Sequence, residues 1–249
     1  MGSTVCQAVA GDAALDLVAA VDPHHGGLDV RQVAKCESDL QVATEADALL
    51  HAKVEVAVDF TSIDAARENL RWCAEHGVHA VVGTSGFTEA DFDEIGALFT
   101  RSNCVIAPNF AIGAVMMMRF AELAAPFFET AEVIEMHHDT KVDAPSGTAV
   151  STVERMAASS AEWGSDPTTV ETIEGARGAA GPAGIRVHAI RMRGMVASQE
   201  VLLGTMGQTL SIRHDTFDRS SFMPGVLLAV KAVKDRPGLT VGLDPILGL

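Results

Sequence analysis

Apolar residues along this chain fall into two recurring patterns. Continuous apolar runs at 15–21, 54–60, 78–83 and 103–107 predict strands buried on both faces. Between them lie segments with helical character. Residues 3–10 read as a short helix ended by Gly11, and Ile63–His76 as a longer one ended by Gly77, a residue suited to the turn beyond a helix C-terminus. Thr88 opens a third helix, with Asp91 three residues on as a capping-box partner and Phe87 against Phe92 as a hydrophobic staple. Strand and helix alternate, and the strands are apolar throughout. That combination predicts an α/β domain in which helices cover both faces of a parallel sheet, the Rossmann-like dinucleotide-binding architecture.

The pattern changes after residue 111. A helix over 112–128 carries Met116, Met117 and Met118, which read as core filler. The run 131–136 predicts a strand, and Val150, Val153, Met156 and Ala157 recur at helical spacing. Residues 161–184, rich in Gly, Ala, Pro and Thr, read as a long exposed loop. Strands are expected at 185–192, 198–203 and 209–214, with turn signals at Gly194 and at 204–207. Short turns between strands imply an antiparallel or mixed sheet, hence an α+β region distinct from the first. A last helix over 221–234 is stopped by Pro237 and Gly238.

Composition narrows the class. With 249 residues, 48% hydrophobic and 20% charged, the chain can bury a proper core. A formal charge of −15 argues against a nucleic-acid surface. It also makes any cluster of Lys and His informative, because an anionic ligand needs a local cationic pocket within that field. Cys6, Cys36, Cys73 and Cys104 are scattered with no C-x-x-C pair, as expected of reduced, packed thiols in a cytoplasmic protein. No signal peptide is visible, and no apolar run approaches the roughly 18 residues of a membrane span. No internal repeat is present.

The chemistry concentrates in Glu135-Met136-His137-His138-Asp139-Thr140-Lys141-Val142-Asp143-Ala144-Pro145-Ser146-Gly147-Thr148-Ala149. Ser146 is placed to cap the helix that follows, so the amides of Gly147 and Thr148 open it. A helix start with unpaired donors suits a carboxylate or phosphate. Two imidazoles and an ammonium stand within a dozen residues of it. A metal-dependent hydrolase using His137, His138 and Asp139 is the rival reading. Against it, adjacent strand-end residues point to opposite sides, and Lys141 would repel a cation. No metal is therefore expected.

The motif E-x-H-H-x-x-K-x-D-A-P-S-G-T resembles that of the dihydrodipicolinate reductases, also called 4-hydroxy-tetrahydrodipicolinate reductases. The likeness runs through nearly the whole chain in an actinobacterial form. It implies reduction of a cyclic, imine-bearing dicarboxylate in the diaminopimelate route to lysine. In that reaction His137 would be the general acid/base and Lys141 a second proton donor. His138, Ser146, Gly147 and Thr148 would hold a substrate carboxylate, and Asp143 would orient the loop. The same resemblance implies a nucleotide domain of residues 1–111 and 221–249, an inserted substrate-binding domain of 112–220, a homotetramer, and hinge closure over the substrate. Arg191, Arg193, Arg213 and Arg219 could enrich the pocket's positive field, but strand arginines are commonly solvated, so they are read as outside the site.

A reduced nicotinamide cofactor follows from the resemblance, and its contacts carry over where residues match. Met1 and Gly2 fit only the last two places of the family's G-x-x-G-x-[MV]-G loop. The sequence reading is therefore that roughly ten preceding residues, a strand of ~5–6 and the first glycines, are missing. The alternative is a chain impaired in cofactor binding and inactive. Asp22, 20 residues beyond Gly2, stands where an acidic residue holds the adenosine ribose. It would repel a 2′-phosphate and is followed by Pro23 rather than an arginine, which favours NADH while NADPH stays open. Gly83, Thr84 and Ser85 occupy the family's G-T-T positions. Ala107, Pro108, Asn109 and Phe110 match the segment lining the nicotinamide. His24 and His25 read as loop residues.

Overall fold

The computed structural model describes residues 1–249. In chain order the elements are α1 (Gly2–Ala10), α2 (Val30–Ala34), α3 (Ala48–His51), β1 (Val56–Asp59), α4 (Ile63–His76), β2 (His79–Val82), α5 (Glu89–Leu98), β3 (Cys104–Ile106) and α6 (Ile112–Ala124). They continue with β4 (Thr130–His137), α7 (Gly147–Ser159), β5 (Ala179–Ala180), β6 (Arg186–Arg191), β7 (Ala197–Thr205), β8 (Gln208–Thr216), α8 (Met223–Ala232), β9 (Leu239–Val241) and α9 (Asp244–Leu247). Two compact units form, one of Met1–Phe110 with Phe222–Leu249 and one of Ala111–Ser221.

The first unit is built on a four-stranded parallel sheet, ordered β1-β2-β3-β9. Side chains alternate across it. Ala80, Val82, Cys104 and Ile106 pack with Ala66, Leu70 and Cys73 of α4 and with Ile95 of α5. Val81 and Val105 point the other way and are fully buried as well, on the face where α8 meets β2. Burial on both faces explains why these strands read as continuous apolar runs. The helix boundaries follow from local chemistry. Ser62 caps α4, which ends at Gly77 in the left-handed conformation (φ 70°) that a side chain would oppose. Thr88 and Asp91 cap α5 reciprocally, with Phe87 and Phe92 centroids 6.1 Å apart. Asn103 ties the start of β3 to the returning C-terminal segment, donating to the Val233 and Lys234 carbonyls and accepting from the Gly238 N–H.

Two expectations in this unit need correction. The run 15–21 is not a regular strand. Only Val21 forms a bridge, parallel to Ala43, and Leu17 and Ala20 pack on Val30, Ala34 and Val42 instead. No neighbouring backbone pairs along the run, and Val18 and Val21 stay exposed at 40% and 39%. Conversely, β9 and α9 follow Pro237 and Gly238, where the residue pattern predicts only a stop. Three residues sufficed for β9 because β3 supplies the ladder.

The second unit holds a five-stranded mixed sheet, ordered β5-β6-β4-β7-β8, in which β4 runs parallel to β6 and antiparallel to β7. Helix α7 packs on β4 and α6 on β8, burying Val133, Val153, Met156, Val201 and Leu203. Together the units give an α/β fold with a Rossmann-like sheet and a separate α+β region. Helix α6 stops at Ala124, four residues before the expected end. A single 3₁₀ turn containing Pro126 follows, a residue that cannot continue the α-helical ladder. The stretch expected to be a plain loop contains β5 and is pinned by Asp166, which meets the guanidinium groups of Arg177 and Arg186. No helix is long and apolar enough to cross a membrane.

Candidate active site

Strand β4 delivers the chemistry of the second unit. Glu135 and His137 are two residues apart, so they share one face of the strand. On the parallel neighbour β6, Arg191 stands in register with His137 and falls on the same face. The result is a connected cluster. Glu135, with none of its side chain exposed, accepts four hydrogen bonds. Arg191 supplies two of them as a fork (Nη1 to Oε2 and Nη2 to Oε1, both 2.9 Å). His137 Nδ1 lies 2.5 Å from Oε2, and the Ser146 N–H reaches Oε1 at 3.1 Å. Arg191 Nη2 also donates to the Asp143 carbonyl at 2.6 Å, joining the strand to the loop that follows it.

Electrostatics follow from this geometry. Burial alone would raise the Glu135 carboxyl, yet the hydrogen bonds from Arg191 and His137 outweigh it and hold the group below its usual range. Burial pushes the His137 imidazole down, against the opposing pull of Glu135. Lys141 Nζ grips both oxygens of Asp143, at 2.7 and 2.8 Å, and that ion pair holds the Asp143 carboxyl low. The Ser146 side chain accepts from the Ala149 N–H, so the predicted N-cap is present, and Gly147 and Thr148 open α7. Gly147 is exposed, with nothing within 4 Å of where a Cβ would stand.

His137 and His138 do not converge. His138 Nδ1 turns to Thr140 Oγ1 at 2.7 Å, and Asp139 is taken by Arg193 at 2.8 Å. No group of three or more His, Cys, Asp or Glu side chains is arranged to hold a metal ion. Arg191 requires a correction, because it is bound to the buried Glu135 rather than solvated. Sequence reasoning does not single out Glu135 as a site residue. Its signal was an acid within an apolar strand, two positions before a histidine. Arg213 does lie on the surface, paired with Asp215 and Glu200.

The first unit brings its predicted cofactor residues to strand ends. Gly83, Thr84 and Ser85 follow β2, and Ala107, Pro108, Asn109 and Phe110 follow β3, at the carboxyl edge where open α/β sheets take ligands. Thr84 Oγ1 donates to the Thr61 carbonyl at 3.0 Å, linking the segments after β1 and β2. A Cβ on Gly83 would collide with the Phe60 ring, so this turn accepts only glycine without rearrangement. Phe110 is buried against Phe60, with centroids 5.8 Å apart, so its side chain supports the edge from beneath. Met1 and Gly2 begin α1, which has no side-chain cap, and no atom lies within 4 Å of a Cβ position at Gly2. Asp22 accepts from the His24 N–H at 2.8 Å and faces His25 Nδ1 at 2.9 Å. The His24 N–H and then His25 keep its carboxyl below the usual range. An ionised carboxylate, an uncapped helix start and a glycine-lined strand edge fit a dinucleotide.

Comparison with known proteins agrees with both halves. Residues 1–110 match the family model described as dihydrodipicolinate reductase, N-terminus, and residues 113–247 match its C-terminus counterpart. A 4-hydroxy-tetrahydrodipicolinate reductase of Nocardia farcinica is 49% identical over 255 aligned positions, covering 100% of this chain and 95% of the relative. The enzyme of the same name from Corynebacterium urealyticum is 46% identical with the same coverage. Among solved structures, a dipicolinate-bound dihydrodipicolinate reductase from Paenisporosarcina sp. TG-14 superposes with a TM-score of 0.84 at 36% identity, covering 98% of this chain and 94% of that one. With both halves matched and this identity along the full chain, the protein belongs to the dihydrodipicolinate reductase family.

Proposed function

We propose that this protein reduces 4-hydroxy-tetrahydrodipicolinate (dihydrodipicolinate) to tetrahydrodipicolinate, in the diaminopimelate route to lysine, with NADH as its preferred reductant. The observation that carries this reading is that one buried carboxylate, Glu135, binds both His137 and the α7 start, while Lys141 joins the same network through Asp143 and Arg191. An acid/base ring, a cation and an anion-ready helix end thus share a single scaffold.

When bound, the reduced nicotinamide supplies the hydride. The residues of this chain do the rest. Hydride addition to an unsaturated carbon conjugated to an imine leaves negative charge on nitrogen, so a proton must be delivered. His137 supplies it from the ring nitrogen not engaged by Glu135, because imidazole exchanges protons near working pH. Lys141 is the second donor, and its charge offsets that of the substrate carboxylates, which it must share with Asp143. His138 and the amides of Gly147 and Thr148 hold a carboxylate, with Ser146 fixing the helix start. Gly83, Thr84, Ser85 and Ala107 to Phe110 line the nicotinamide side. Met1, Gly2 and Asp22 take the nucleotide side. An ionised Asp22 accepts from ribose hydroxyls and repels a 2′-phosphate, which supports NADH over NADPH.

The second unit is the substrate-binding part and the first the dinucleotide-binding part. We infer a homotetramer assembled through the mixed sheet, whose β7–β8 hairpin leaves Met206 and Leu210 exposed. Four free cysteines suit a cytoplasmic location. Burial raises three of them, Cys6, Cys73 and Cys104, with Cys73 pushed to about 12. The test is an absorbance assay of NADH oxidation with freshly generated substrate. The expected result is substrate-dependent oxidation, insensitive to chelators, with a higher kcat/KM for NADH than for NADPH. Substrate turnover without NADH oxidation, abolished by a chelator, would favour the hydrolytic-metal alternative instead.

A further inference from the structure

We propose that Glu135, held in place by Arg191, is the positioning residue that selects the tautomer of His137 and stabilises its protonated form during turnover. This inference rests on the acid role given to His137 above and extends it to two residues with no assigned part in the reaction.

A fully buried carboxylate is costly unless every oxygen is bonded to a donor. Three of the four donors around Glu135, namely both Arg191 Nη groups and the Ser146 N–H, come from groups that do not titrate in the working range. They are sufficient to keep the carboxylate ionised. The fourth partner, His137 Nδ1 at 2.5 Å, is the only one whose charge can change there. A carboxylate accepts and cannot donate while ionised, so Nδ1 must carry the hydrogen. That leaves Nε2 as the nitrogen that takes up a proton and passes it to the substrate.

Nε2 gains a proton before the reaction, the imidazolium is stabilised by Glu135, and Nε2 gives the proton up as hydride reaches the substrate. Glu135 stays ionised throughout, because Arg191 and the Ser146 N–H hold it so. The charged groups facing His137 are Glu135 on its own strand, Arg191 on β6 and Lys141 in the following loop. Its β7 neighbours in register, Ala197 and Gln199 beside Glu135, are uncharged. Both cations work against protonation of the ring, so Glu135 is the group that favours it. Arg191 therefore has two opposed effects. It secures the carboxylate, and it limits how far that carboxylate can raise the imidazole.

The experiment compares the intact protein with Glu135→Gln and with the double variant Glu135→Gln/Arg191→Met. The double variant removes both charges together, so no unpaired ion is left in the interior if the single variant fails to fold. Two quantities are read on protein of unchanged circular dichroism: the NMR titration of the His137 ring nitrogens without substrate, and kcat as a function of pH. We expect the His137 titration to move down by about one pH unit or more on loss of its ionised partner. We expect kcat at neutral pH to fall by about 10²-fold, with KM changing much less and part of the rate returning as the pH is lowered. An unmoved titration with unchanged kcat in both variants overturns the proposal. A titration that shifts while kcat stays at its original value supports the positioning of the ring and overturns instead the acid role of His137.

Discussion

At the scale of single residues, His137 stands between opposed influences. Burial favours its neutral form, and Glu135 favours the charged one, with burial prevailing in the free protein. The pH dependence has a definite sign. If protonated His137 delivers the proton, kcat/KM, which reports the free enzyme, falls as pH rises through a value below the ordinary ~6.5 of imidazole. A bound dicarboxylate brings negative charge to the ring and favours the imidazolium. The falling limb of kcat should therefore lie at higher pH than that of kcat/KM. Steady-state profiles over the neutral range test this, and coincident or reversed limbs would contradict it. His137 and Lys141 were legible in the sequence because their motif is contiguous. Arg191 was not. It reaches Glu135 from 56 positions away, and only the parallel pairing of β6 with β4 sets that register.

At the scale of elements, what could be read was what local chemistry decides. Ser62, Thr88 and Ser146 cap their helices through their own side chains, and Gly77 ends α4 through its own backbone. What escaped was pairing. The run 15–21 has strand composition but lacks a partner along its length, and β9 has little composition of its own but finds β3. Helix α7 joins this scale to the site. Replacing Ser146 with Ala removes the bond to the Ala149 N–H and should cost about 1 kcal/mol of stability, seen as a lower urea midpoint at unchanged slope. The backbone N–H to Glu135 survives this change, so His137 keeps its setting. We expect KM for the dicarboxylate to rise more than kcat falls, since Gly147 and Thr148 lose their fixed start. A 10²-fold loss of kcat with KM unchanged would place the hydroxyl in the chemistry itself.

At the scale of the whole molecule, each unit has a separate task in this account. A parallel sheet with both faces covered presents strand ends to a dinucleotide, and a mixed sheet with helices on one face presents His137 and Lys141 to an anion. The overall charge of −15 opposes a dianionic substrate, so the proposed reading rests recognition on Lys141, His138 and the α7 start. The α/β class was visible in the alternation of apolar runs with helical spacing, whereas α2, α3, β5, β9 and α9 had no such signal. The buried Glu135–Arg191 pair was not, because it depends on the assembled sheet. The central claim is hydride transfer to a cyclic dicarboxylate with the proton managed by His137 and Lys141. The most direct measurement is mass analysis of the product formed from NADH dideuterated at C4 of the nicotinamide, for the intact protein and for His137→Ala and Lys141→Ala. The account predicts one deuterium per product molecule, formed about 10²-fold or more slowly by each variant. Product without deuterium, or transfer at the intact protein's rate in both variants, would contradict it.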